Sequence, residues 1–89
     1  MYNISDYTFD RAKKLGVEVK PSKKKNKKID IFKDGKLIGS VGNTDYNDYT
    51  IYLKSHGKAY ADEKRRLYRL RHAKDLKTGN GYLAANLLW

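Results

Sequence analysis

The chain contains no cysteine. That excludes disulfides, zinc fingers and other thiolate metal sites, and a cysteine nucleophile, and it suits a reducing compartment such as cytosol or nucleus. No apolar run approaches the ~20 residues that a spanning helix requires. The opening stretch MYNISDYTFD is polar and acidic, unlike a secretory leader with its charged start and apolar middle. The expectation is a soluble, unsecreted protein without membrane insertion. Phosphate-loop chemistry is also missing: Gly35, Gly39 and Gly42 are followed by neither a Gly-Lys-Ser/Thr step nor a GxGxxG strand-to-helix context, and read as turn and close-packing residues. Phe is scarce, with two residues against eight Tyr, so tyrosines must help to fill a core, with Tyr49, Tyr52 and Tyr60 at suitable helical spacing.

What is abundant is positive charge. Twenty Lys and Arg oppose 10 Asp and Glu, a formal charge of +10 on 89 residues. Such an excess favours a polyanionic partner: nucleic acid first, then an acidic protein face or an anionic membrane surface. Charge supplies affinity and says nothing of fold. The length suits one domain, 1–89, whose modest core removes about 60–65% of the unfolded chain's surface from water.

Along the chain, Ser5 can cap a short helix running to Lys14 and closed by Gly16. Val17 to Lys20 alternates with period two and can form an edge strand, ended by Pro21. Residues 21–28, with the run KKKNKK, read as a flexible lysine-rich loop. Asp34-Gly35 between alternating apolar runs is a strong hairpin signal, with the turn at 33–36 pairing Phe32 with Leu37 and Ile31 with Ile38. Pleat alternation then sends Ile29, Ile31 and Ile38 to one face and Phe32, Leu37 and Val41 to the other, both at least partly covered. Asp48 can cap a helix from Tyr49, interrupted at Gly57. A second helical stretch from Lys58 to about Lys74 turns Tyr60, Leu67 and Leu70 inward and pairs Asp62 with Arg66. Residues 78–81 break the chain, and 82–89 form a terminal helix or extended anchor packed on the domain. The fold class expected is α+β: a two- or three-stranded antiparallel sheet packed by helices, including a basic helical segment towards the C-terminus.

Four of the five arginines, Arg65, Arg66, Arg69 and Arg71, fall in EKRRLYRLRH. A guanidinium offers permanent charge and a planar fork of donors that fits phosphate oxygens. Lys64, His72 and Lys74 add charge beside them, and Tyr68, like Tyr46, offers a face for base stacking. The bland alternative is a solvated helix knitted by Asp62 and Glu63. In the lysine run, Lys23, Lys24, Lys25, Lys27 and Lys28 can dock on backbone phosphates without base selection, or simply solubilise a linker. Leu87, Leu88 and Trp89 are candidate anchors for a protein interface. Asp45, Asp48, His56 and His72 are the one carboxylate-histidine set worth weighing for a metal-dependent nuclease, but their spacing fits no metal template.

The order AKKLGVEVKPS, a lysine-rich hairpin, DYNDYTIYLKSHGKAYADEKRRLYRLRHAKD and GNGYLAANLLW resembles small basic, largely uncharacterised proteins of giant and other large DNA viruses, chlorella-virus and mimivirus-like. The resemblance runs from about Ala12 to Trp89 and is carried by Asp48-Tyr49, His56-Gly57, Tyr60-Ala61, Arg65-Arg66-Leu67-Tyr68, Arg71-His72 and Leu88-Trp89 in combination. It implies a viral origin and a place in the virion or in host cytoplasm or nucleus, and it carries over no catalytic residue. The function expected is therefore a non-enzymatic nucleic-acid-binding protein, DNA ranked ahead of RNA, with no cofactor and no small-molecule substrate. The alternatives are a capsid or core clamp between virion proteins and, behind it, the nuclease.

Overall fold

The structure, a computed structural model, describes residues 2–77 and 79–89. Met1 and Thr78, the latter assigned above to the break before the last segment, lie outside them. The chain is a small α+β domain in the order α1 (Asp6–Leu15), β1 (Glu18–Pro21), β2 (Lys27–Lys33), β3 (Lys36–Asn43), α2 (Tyr49–His56), α3 (Lys58–Arg71) and α4 (Gly79–Leu87). The three strands form one antiparallel sheet in the order β1-β2-β3.

Local chemistry sets most of these boundaries. The Ser5 side chain accepts from the Thr8 amide at the start of α1, and Gly16 at φ 72° closes it in the left-handed region. Asp34 and Gly35 both hold positive φ, 52° and 80°, as a type I′ hairpin turn requires. Asp48 caps α2, and Gly57 at φ 88° separates α2 from α3.

One detail of the hairpin departs from simple pairing. Phe32 opposes Leu37, but Ile31 opposes Gly39, because a bulge leaves Ile38 without a partner. The expected Ile31–Ile38 pair is thus not formed, and the extra residue flips the remainder of β3. Val41 consequently joins Ile29, Ile31 and Val19 on the buried face, whereas Ile38 is exposed. Gly39 admits α4 closely: a Cβ there would meet Asn80 Oδ1 at 2.6 Å and Leu83 Cδ1 at 3.0 Å. The helix α4 packs on β3 and α1 on both β1 and α4, so the core lies between the sheet and the helices. The other face, expected to be partly covered, leaves Leu37 exposed, with the Lys20 ammonium over the Phe32 ring.

The terminal segment differs from expectation in where its helix starts. Gly79, Asn80 and Gly81 form the first turn of α4 and not a loop. Gly81 is needed because a side chain would strike the backbone carbonyl of Asp75 in the turn after α3. Leu87, Leu88 and Trp89 are then driven into the core. No helix among the described residues is long and apolar enough to cross a membrane.

Candidate nucleic-acid interface

The helix α3 faces the core with a different side from the one its apolar residues suggest. Ala61, Arg65 and Tyr68 turn inward or lie half-buried, while Tyr60, Leu67 and Leu70 are exposed. The cause is what waits underneath: the indole of Trp89 stacks on Tyr68 with centroids 4.4 Å apart and planes 9° from parallel. Tyr68 is therefore occupied within the domain and does not offer the free stacking face expected of it. Its phenol is held above the usual tyrosine pKa, chiefly by burial and then by the nearby Asp75.

The arginine cluster divides into two classes. Arg65 is consumed internally: its guanidinium lies 4.2 Å from the Tyr49 ring centroid, pairs with Asp62 at 3.2 Å and donates to the Trp89 main-chain oxygen at 3.5 Å. Arg66 is exposed but forks onto Glu63, with its Nε 3.1 Å from Oε2, so the expected Asp62–Arg66 pair is replaced. Asp62 instead accepts from Lys58, Arg65 and the Tyr49 hydroxyl, and the Lys58 bond followed by the Tyr49 bond holds its carboxyl below the usual range. Arg69 and Arg71 are exposed and form no hydrogen bond or ion pair among the described residues. Lys64 sits over the Tyr52 and Tyr60 rings, His72 approaches Asp75 at 3.9 Å, and Lys74 is exposed.

The lysine run also divides. Pro21 belongs to β1 and Lys27 and Lys28 to β2, so the expected loop over 21–28 shrinks to a turn over 22–26. That turn is tied down by Ser22 N donating to Lys28 O, Lys27 N to Lys24 O and Thr44 N to Asn26 O. Lys23, Lys24, Lys25 and Lys27 stay exposed. Lys28 does not: it is 3% exposed, and its Nζ lies 2.9 Å from Oδ2 of Asp48, itself 1% exposed. A charge so buried needs its counterion, which removes Lys28 from the phosphate-binding set. Asp48 also accepts from Tyr2 Oη at 2.7 Å, Thr50 Oγ1 at 2.6 Å and the Ile51 amide at 3.1 Å.

The proposed interface anchors Leu87, Leu88 and Trp89 are buried in the domain's own core and so are not exposed to a partner. Asp45, Asp48, His56 and His72 do not gather, and no group of three or more potential metal-ligating side chains occurs among the described residues. Tyr49 is buried and Tyr52 half-buried, as a core reading expects, but Tyr60 lies on the surface against His56, with ring centroids 4.4 Å apart.

What the fold does assemble is a groove of about 770 Å³ between α3, the turn before β2 and the β3–α2 loop. Its floor holds buried Trp89, Leu88 and Asp48. Its exposed walls carry Lys27, Arg71, Leu67, Leu70 and Tyr46, the last 70% exposed, together with Asn26 and Asn47. Asp48 is the one side-chain carboxylate among the described lining residues and is neutralised by Lys28, so the rim presents cations without a competing acidic side chain. Of the groove's exposed lining, Lys27, Tyr46 and Arg71 are readable from the sequence as candidate contacts, Leu67 and Leu70 read instead as core, and Asn26 and Asn47 carry no signal beyond the polar composition of their loops.

Comparison of the chain with models of protein families, with curated proteins and with solved structures finds no match.

Proposed function

We propose that this protein binds nucleic acid non-enzymatically through backbone phosphates, as a genome-associated component of a large DNA virus, with DNA the first candidate ligand. The observation that carries this reading is the pair Lys27 and Arg71, cations from distant parts of the sequence that line one groove without ion partners among the described residues. Arg69 and Lys74 extend the positive surface along and beyond α3, and Lys23, Lys24 and Lys25 extend it along the turn before β2. Arg65 and Lys28 support the surface from beneath and make no phosphate contact.

Backbone binding of this kind releases condensed counterions, so affinity falls steeply with salt, by about 0.9 logarithmic units of slope per neutralised phosphate on duplex DNA. Fluorescence anisotropy of a labelled oligonucleotide across a salt series tests it. The combined Arg69→Ala and Arg71→Ala variant should reduce the magnitude of the slope by about 1–2 units if each side chain neutralises a phosphate. Absence of binding at low salt, or affinity insensitive to salt, would refute the reading.

A further inference from the structure

Phosphate contact alone does not require the apolar surface found in the groove. Leu67 and Leu70 are exposed on α3, Leu70 by 64%, because the space beneath the helix is taken by Tyr49 and Trp89. They share the groove with the exposed ring of Tyr46 and with a floor made by the Trp89 indole. Duplex DNA presents phosphates to such a hollow and keeps its base faces stacked within the helix. An unpaired nucleotide brings both a flat apolar ring and a polar edge, together with the phosphate that the cations attract.

Resting on the phosphate-binding reading, we propose that the groove seats unpaired nucleotide bases, so that the ligand is single-stranded nucleic acid. Lys27 and Arg71 hold the backbone at the rim. The base lies against Tyr46 and the Leu67–Leu70 wall, above Trp89. The side-chain amides of Asn26 and Asn47, which make no hydrogen bond among the described residues, meet the base edge, where an amide offers both a donor and an acceptor. Charge selects this occupant over an apolar peptide: the rim is cationic and the one acidic side chain among the described lining residues is already paired. Size agrees, because about 770 Å³ falls in the range of sites that enclose small molecules and is too small to enclose a duplex.

Trp89 is the only tryptophan and lies in the groove floor, so its emission reports occupancy directly. The test titrates the full chain with a short oligothymidylate and, at the same salt, with a blunt duplex. The single strand should bind about tenfold or more tightly and quench Trp89, since stacking of one base contributes about 1–3 kcal/mol. Tyr46→Ala and Leu70→Glu alter exposed side chains and leave the core intact; each should lower single-strand affinity about tenfold or more while Tyr46→Ala leaves duplex affinity unchanged. Equal affinity for both ligands, with Tyr46→Ala weakening neither, would overturn the base seat and leave the phosphate reading standing. Failure of both ligands to bind at low salt would overturn both.

Discussion

The buried ion pair between Lys28 and Asp48 joins the first turn of α2 to β2, and its disruption gives the sharpest test of how the domain is held together. Asp48 receives four donors, the Lys28 ammonium, two hydroxyls and the Ile51 amide, in a site where both charged side chains are nearly inaccessible. Asp48→Ala removes a helix cap, a loss of about 1 kcal/mol, and strands the ammonium without a counterion, a loss of about 3–5 kcal/mol that contains part of the first. A domain of this size is stable by only about 5–15 kcal/mol, so the variant should be largely unfolded or close to it. Asp48→Asn retains a capping oxygen but also strands the ammonium. Combining it with Lys28→Met should restore about 2 kcal/mol or more relative to Asp48→Asn alone, because a neutral, well-packed pair escapes the desolvation cost. Urea unfolding followed by Trp89 fluorescence, with the slopes compared to confirm a common unfolded state, measures these differences. A loss below about 1 kcal/mol for Asp48→Ala, or single and double effects that add within about 0.5 kcal/mol, would refute the reasoning.

Three further outcomes are expected. Gly81→Ala should destabilise the fold by about 1–3 kcal/mol in a calorimetric or urea measurement, because its methyl must displace the Asp75 backbone. Alkaline titration should lower stability as pH rises beyond about 10: burial holds the Tyr2 phenol above the ordinary tyrosine pKa, so the native state keeps a proton that the unfolded chain has lost. That contribution is fully present below the unfolded pKa, and Tyr2→Phe should flatten the alkaline decline while costing about 1 kcal/mol at neutral pH through the lost hydrogen bonds. Arg65→Ala should lower the melting temperature, whereas Arg69→Ala should leave it unchanged and weaken ligand binding, since of the two it is Arg65 that lies over Tyr49 and bonds the Trp89 main-chain oxygen.

Features written in a few adjacent residues were legible in the sequence. Ser5 and Asp48 as caps, Gly16 as a helix stop and Asp34-Gly35 as a turn each depend on backbone preferences within a few positions. Features that depend on distant partners were not. Nothing around Ile38 announces the bulge that turns Val41 inward and sets Gly39 against α4, a residue pairing between elements far apart in the chain. The burial face of α3 was inverted for a similar reason: Leu67 and Leu70 are the more apolar residues, but the space beneath the helix is taken by Tyr49 and Trp89, whose flat rings receive Arg65 and Tyr68. Lys28 looked like its four neighbours in the run, and only the approach of Asp48, 20 positions away, distinguishes it. The cationic composition of the candidate interface was thus readable, while the division of its side chains between internal support and free surface required the fold.

Residue-by-residue mapping of amide chemical shifts during titration with a short single-stranded oligonucleotide tests the central claim most directly. Perturbations should concentrate at Asn26 and Lys27, at Tyr46 and Asn47, along α3 from Lys64 to Arg71 and at His72 just beyond it, and at the Trp89 indole. Shifts confined instead to the open sheet face around Lys20, Phe32 and Leu37, with the groove silent, would contradict it.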